Sequence, residues 1–325
     1  MHDTYILDSK LHISEEGLKH GSRLLTKNNL LLLVRGSMLW NTIPICLNKN
    51  DVAFNQDVKG IIANDTINNE FLLYWLKSKE QRLKYMVTGT GLGAGKLDTS
   101  DLLSMIVYIP AMKEQDKVAR LLSLFDERIA TQNKIIEDLK KLKSAISENL
   151  FKAVKGDVVV LSEICEIIKG KQVNGEFLSE KGKYYVMNGG TEPSGYYSDY
   201  NVEANTISIS EGGNSCGYVQ FNTSPFWSGG HCYTIQKIAD NVDHLYLYHY
   251  LKSKEDAIMK LRIGSGLPNI QKKGLAMFKI KLPTVEQQKS ISTFLSSLER
   301  KAEIEERIRN SILEEKRFLL HQMFI

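Results

Sequence analysis

Ten positions between residues 118 and 150 step by four and three and constrain this chain more than anything else in it. They are Val118, Leu122, Phe125, Ile129, Gln132, Ile136, Leu139, Lys143, Ile146 and Leu150; eight of the ten are apolar, with Gln132 and Lys143 the exceptions. That spacing is the seam of a coiled coil. A weaker counterpart lies 173 residues further on, through Ile291, Leu295, Leu298, Ala302, Glu305, Arg309, Ile312, Lys316, Leu319 and Met323, with polar residues again at the positions equivalent to Gln132 and Lys143. Helices opened by Pro110 and Pro283 and running some 40 residues would each be roughly 60 Å long at about 1.5 Å per residue. A long helix lying along an ordinary core is the alternative. The equal lengths and shared phase instead predict two helices that pair with each other as a spacer.

The duplication is larger than the helices. Leu76-Lys77-Ser78-Lys79-Glu80 recurs letter for letter as Leu251-Lys252-Ser253-Lys254-Glu255, each time after an aromatic helix start. Next come two glycine loops, Gly89-Thr90-Gly91-Leu92 and Gly264-Ser265-Gly266-Leu267, and then a short apolar strand ending in proline, MIVYIP or FKIKLP. Upstream, LLLLVRG (30–36) matches TISISEG (206–212), a strand entering a glycine turn. The order strand, turn, irregular strands, helix, glycine loop, strand, long helix is therefore present twice. With 325 residues and 42% hydrophobic content, the chain is long enough for two such cores.

Residues 152–283 read as a compact α+β domain rich in turns. LSEICEIIKGK is a short helix and a strand closing on Gly170; YYVMNGGTEPSGYY and ISEGGNSCGYVQFN are strands separated by glycine turns; PFWSGGHCYTIQK is a further strand pair. Such loops can simply turn the chain. They also carry side chains suited to reading bases and phosphates, namely Lys169, Lys171, Gln172, Asn188, Asn214, Tyr218, Trp227 and His231. Composition leaves both readings open, and a net charge of +4 permits nucleic-acid binding without requiring it.

Several chemistries are missing from the sequence. Cys46, Cys165, Cys216 and Cys232 are scattered with no Cys-x-x-Cys, which encodes neither a disulfide framework nor a zinc site. The loop GTGLGAGK (89–96) has Thr90 where a P-loop needs glycine and Leu97 where it needs a hydroxyl. No Asn-Pro-Pro-aromatic signature, dinucleotide fingerprint or Gly-x-Ser-x-Gly elbow occurs. No apolar run near the start is long enough to span a bilayer and no export signal is visible, so the expectation is a cytoplasmic, non-catalytic protein without a cofactor of its own.

Two α+β domains, each followed by a proline, a Glu-Gln pair and a long helix, resemble the specificity subunits of type I DNA restriction-modification enzymes. The carriers are Pro110 with Glu114-Gln115 and a helix ending Asn149-Leu150-Phe151, and Pro283 with Glu286-Gln287 and a helix ending Gln322-Met323-Phe324. NGGTEPSGYY, ISEGGNSCGYV, PFWSGGHCYTI and residues 161–171 are similar to target-recognition sequence of that family. The resemblance implies two target-recognition domains joined by two antiparallel helices. The expected bounds are 1–110 and 153–283 for the domains and 111–152 and 284–325 for the helices.

It also implies a DNA-binding adaptor. Each domain would read half of a bipartite target in double-stranded DNA while the helices hold the halves apart. Two methyltransferase subunits, which bind S-adenosylmethionine, would dock on it, and an ATP-driven restriction subunit would join them. A scaffold that engages partner proteins without reading DNA is the alternative. The residues expected to face DNA are Arg35, Ser37, Thr90 and Lys96 in the first half, and Lys169, Lys171, Gln172, Asn188, Asn214, Tyr218, His231, Ser265, Asn269 and Lys272 in the second.

The first copy departs from the second at its start. Gly36 follows 35 residues, whereas Gly212 lies 61 residues beyond Phe151, so the first copy is about 26 residues short. The piece without a counterpart is 152–177. Its lack predicts an uncovered apolar face and an unpaired sheet edge in the first domain, unless MHDTYILDSKLHIS takes its place.

Overall fold

The structure, a computed structural model, describes residues 4–9, 11–91, 93–264 and 268–324. The chain divides into two compact units, Met1–Ile135 with Glu305–Ile325, and Ile136–Ile304. The long helices are continuous, Met112–Ala153 and Val285–Met323, and each unit contains part of both.

The second unit is built on an antiparallel sheet in the order Glu166–Lys169, Cys232–Gln236, Thr206–Ser210, Val219–Asn222. Ile207 and Ile209 on the central strand are wholly buried, and the aromatic helix His244–Ser253 packs Tyr246, Leu247 and Leu251 against them. Alternating inward residues along such strands build a one-sided core. A second small sheet places Tyr184–Met187 between Tyr196–Tyr197 and Trp227–Ser228. The sequence expectation of a strand pair within PFWSGGHCYTIQK is therefore wrong. Trp227–Ser228 joins one sheet and Cys232–Gln236 the other, because the Gly229-Gly230 corner redirects the chain instead of reversing it.

The first unit repeats the central part of this plan. Leu30–Leu33 runs between Ile45–Asn48 and Val58–Ile61, and helix Asn69–Ser78 covers it with Phe71, Leu73 and Tyr74. Its edges differ. In the second unit Cys232–Gln236 is flanked on its outer side by Glu166–Lys169. The equivalent strand Val58–Ile61 is an edge strand, and the fourth member of its sheet, Tyr5–Ile6, pairs in parallel with Ile45–Asn48 on the opposite side. The antiparallel pair of Arg23–Leu25 and Val52–Phe54 packs Leu25 and Phe54 over Gly60.

A further strand expectation fails for a related reason. FKIKLP forms strand Lys279–Leu282, paired antiparallel with Asp157–Val160, whereas MIVYIP is not a strand. Both stretches have suitable side chains, but a strand exists only by hydrogen bonding to a neighbour, and the described residues of the first unit contain no counterpart of Asp157–Val160.

The letter-for-letter repeat LKSKE has a structural cause. Glu80 accepts from the amide of Ile43 (3.1 Å) and the hydroxyl of Thr42 (2.8 Å); Glu255 accepts from the amide of Val219 (2.6 Å) and from Lys252 (2.6 Å). In each unit this carboxylate ties the second helix to the chain just before or at the start of a sheet strand.

The helices pair antiparallel within each unit, because residue numbers rise along one as those of its partners fall along the other. In the first unit Lys316 Nζ meets Asp126 Oδ1 at 2.5 Å, and Gln132 donates to both the backbone and the carboxylate of Glu305. In the second, Lys143 Nζ meets Glu299 Oε1 at 2.7 Å and Ile146 and Leu150 join the core with Ile291 and Leu295. All ten expected seam positions of the first helix are at least partly covered; in the second only Met323 is exposed among the clearly apolar ones. The polar exceptions are thus paired charges and amides. Each helix ends on an aromatic anchor, Phe151 edge-on to Tyr246 at 5.6 Å and Phe324 edge-on to Phe71 at 5.3 Å.

Candidate nucleic-acid interface

In the second unit two of the predicted residues, Lys169 and His231, meet at one buried carboxylate, Glu211, which directly follows strand Thr206–Ser210. Lys169 Nζ lies 2.6 Å from its Oε1, the Tyr233 hydroxyl donates to the same oxygen at 3.0 Å, and His231 Nδ1 is 3.5 Å from Oε2. The backbone is fixed equally tightly, with the amide of Glu211 donating to His231 O (2.9 Å) and that of Ile270 donating to Glu211 O (2.8 Å). Glu211 is 7% exposed, and these partners satisfy the hydrogen-bonding capacity of a carboxylate that water reaches poorly. Burial, reinforced by Glu211, pushes the Tyr233 phenol up to about 12 and keeps it a donor.

The neighbouring turns hang on this centre. Asn188 Oδ1 accepts from the amide of His231 at 3.1 Å. Lys171 is held by its amide to Ser228 O (2.8 Å) and by the Trp227 indole, which donates to Lys171 O at 2.8 Å. The strand end packs so closely that a Cβ on Gly170 would lie 2.2 Å from Gly229 O, and one on Gly230 would lie 2.6 Å from Gln172 Oε1. Gly212 bridges Asn269, and the amide of Gly213, at φ 71°, donates to Pro268 O at 3.1 Å, leaving Asn214 on the following turn.

Lys272 opens the short helix Lys272–Ala276 beside Tyr233, its side chain exposed. Tyr218 stands apart from the carboxylate. Its ring is half-buried under Lys252, 3.9 Å from the centroid, and burial, with Glu255 adding to it, raises its pKa. Ser265 lies outside the described residues.

The first unit gathers its four residues on an equivalent frame. Arg35 is the register neighbour of Lys96, and Gly36 of Gly95, so that the glycine turn and the hairpin Val87–Gly89/Gly95–Leu97 form one small sheet. Ser37 starts the single turn Ser37–Trp40. Thr90 closes the hairpin loop through its amide (3.0 Å) and hydroxyl (2.9 Å) to Ala94 O. Trp40, half exposed, donates its indole N–H to Gly93 O at 3.1 Å and braces the same loop. Lys96 pairs with Asp98 at 3.2 Å, and the amide and hydroxyl of Ser100, with Lys96, hold that exposed carboxyl down to about 2.

Glu211 and Trp40 were missed in the sequence. Aligning LLLLVRG with TISISEG puts Arg35 opposite Glu211, and that inversion of charge before a shared glycine was the available signal. The consequence concerns Lys169, whose charge is largely neutralised by Glu211, so it is less available to a phosphate than Lys171 or Lys272. The rest of the rim presents side-chain amides, hydroxyls and cations, groups that hydrogen-bond base edges and phosphate oxygens. Among the described residues no cluster of three His, Cys, Asp or Glu side chains is placed to hold a metal ion, and no helix is long and apolar enough to cross a membrane.

The chain is similar to known proteins along most of its length. Residues 6–141 and 154–314 each match the family described as type I restriction modification DNA specificity domain. The chain is 26% identical to the type I restriction enzyme MjaVIII specificity subunit of Methanocaldococcus jannaschii, over 92% of this chain and 78% of that protein. It is 27% identical to the putative type I specificity subunit S.MgeORF438P of Mycoplasma genitalium, over 56% of this chain and 51% of that one. Among solved structures, the S subunit of a type I restriction-modification system from M. genitalium superposes with a TM-score of 0.70 at 21% identity, covering 100% of this chain and 89% of that one.

Proposed function

The chain belongs to the type I restriction modification DNA specificity family, and we propose that it is the sequence-reading subunit of such a complex. Each α+β half, 1–110 and 153–283, takes one half of a bipartite duplex target, and the helices 111–152 and 284–325 set the spacing of the halves. The observation that carries this reading is the family match to both halves of the chain, joined to a repeated frame in which a glycine turn and a hairpin present polar side chains.

In this reading the chain binds DNA and assembles with methyltransferase and restriction subunits, two of the former. Methyl transfer and cleavage belong to those partners, and S-adenosylmethionine binds to the methyltransferase. The chain's own residues orient the duplex. Arg35, Lys96, Lys171 and Lys272 hold phosphates, whereas Gln172, Asn188, Asn214 and Asn269 meet base edges, since a side-chain amide can bond an adenine at two atoms. Glu211 keeps Lys169, His231 and the Asn269 strand in register with those amides.

The test uses the purified chain, duplex DNA and S-adenosylmethionine, with and without methyltransferase subunits. The expected result is no methyl transfer by the chain alone and methylation of a defined motif by the assembly. Transfer by the chain alone, or methylation by the methyltransferase subunits at the same motif without it, would overturn the reading.

A further inference from the structure

The two units differ in one continuous feature. In the second unit, residues 157–169 lay one strand along Lys279–Leu282 and another along Cys232–Gln236, with the short turn Leu161–Ile164 between them carrying Leu161 and Ile164 into the core beside Leu275. In the first unit the two receiving edges are both present. Val58–Ile61 ends its sheet. Residues 106–109, equivalent to Lys279–Leu282, form no backbone–backbone hydrogen bond among the described residues.

Side chains at the receiving edge point the same way. The inward residue Val107 still packs on the core, as its equivalent Ile280 does. At the outward positions, where the second unit has Lys279 and Lys281, the first has Ile106 and Tyr108, 74% and 83% exposed. Leu103, adjacent on helix Thr99–Leu103, is 80% exposed. An extended apolar segment with unsatisfied edge groups is a template for strand addition. The duplicate within the same chain identifies what such a template accepts.

We infer that residues 103–109 of the first unit form a docking edge for an extended segment with the chemistry of residues 157–164, one that no described residue of the first unit supplies. That segment is a strand of consecutive β-branched apolar residues followed by one helical turn of Leu-x-x-Ile type. It adds antiparallel to 106–109 in the register of Val159 on Ile280, placing its apolar residue opposite Val107, and its helical turn covers Leu103.

The test titrates a synthetic peptide of residues 154–170 into the full-length chain, following binding by fluorescence anisotropy and amide protection by hydrogen exchange. A peptide N-methylated at the position of Val159 is the control, which leaves the chain itself unaltered; Val107→Pro in the chain is the reciprocal variant. The expected result is saturable 1:1 binding with protection at 106–109, weakened at least tenfold by either change. Absence of saturable binding up to millimolar peptide, protection confined to other segments, or protection of 106–109 arising from self-association of the chain without peptide would each overturn the inference.

Discussion

Gln115 and Gln288, 173 positions apart, make the same three hydrogen bonds. Gln115 accepts from the amide of Asn68 (2.8 Å) and donates to Thr66 O and Pro110 O (both 2.9 Å); Gln288 accepts from the amide of Asp243 (2.8 Å) and donates to Asn241 O (3.1 Å) and Pro283 O (3.0 Å). Both are 1% exposed, and each locks the start of a long helix to the N-cap of the aromatic helix, Asn68 or Asp243. Replacing either by Leu strands a buried amide and two carbonyls. With about 1–3 kcal/mol lost for an unsatisfied buried group, Gln115→Leu and Gln288→Leu should each cost about 2–4 kcal/mol. Urea denaturation gives the loss, and hydrogen exchange should localise it to the unit that carries the substitution.

Under the proposed function, the candidate interface makes two kinds of contact with DNA. Substituting Lys171 or Lys272 should weaken binding of the assembled complex to all duplexes alike and lower the salt slope by about 1 for each phosphate that is no longer neutralised. Asn214→Ala or Gln172→Ala should cost roughly 1–3 kcal/mol on the proper target only. Lys169→Met should lower the salt slope less than Lys171→Met, because Glu211 already neutralises Lys169. Glu211→Gln should release Lys169 and steepen the slope. Affinity measured across a range of salt concentrations distinguishes these outcomes.

His249 gives the second unit a dependence on pH. The ring is 2% exposed, with Nε2 2.9 Å from the Ser296 hydroxyl; burial, with the Lys143 charge adding to it, lowers its pKa to about 4, against smaller opposing pulls from Glu299 and Asp243. The unfolded chain takes up this proton near pH 6.5 and the folded chain only near 4. Stability is therefore full above about 6.5 and falls as pH drops through that window, by about 3 kcal/mol at roughly 1.36 kcal/mol per unit. The difference between wild type and His249→Gln, followed by urea midpoints from about pH 7 to 4, isolates this group from the carboxylates. The wild type should lose more stability than the variant.

Much of this architecture was legible because it rests on local periodicity and on repetition. The seam from Val118 to Leu150 and the duplicated glycine turns can be read without knowing what touches what. What escaped depends on distant partners. MIVYIP has the pattern of a strand and is none, since pairing belongs to two segments and one of them is missing from the described first unit. The Glu-Gln signature was read one residue out of register in the second copy. Glu286-Gln287 looks like Glu114-Gln115, but it is Gln288, five residues after Pro283 as Gln115 is five after Pro110, that is buried. Glu211 escaped because its partners Lys169, His231 and Tyr233 come from two other strands and the loop that leads into the second of them.

In the proposed function, the two halves of this chain choose the DNA sequence that partner subunits methylate. Its most direct measurement is the methylated motif in genomic DNA from cells expressing the chain with its methyltransferase subunits, compared with cells in which residues 157–282 are replaced by the matching segment of a relative. The expected motif is bipartite, and the replacement alters one half and leaves the other half unchanged. A motif that stays the same after the replacement, in a complex that still assembles and methylates, would contradict it.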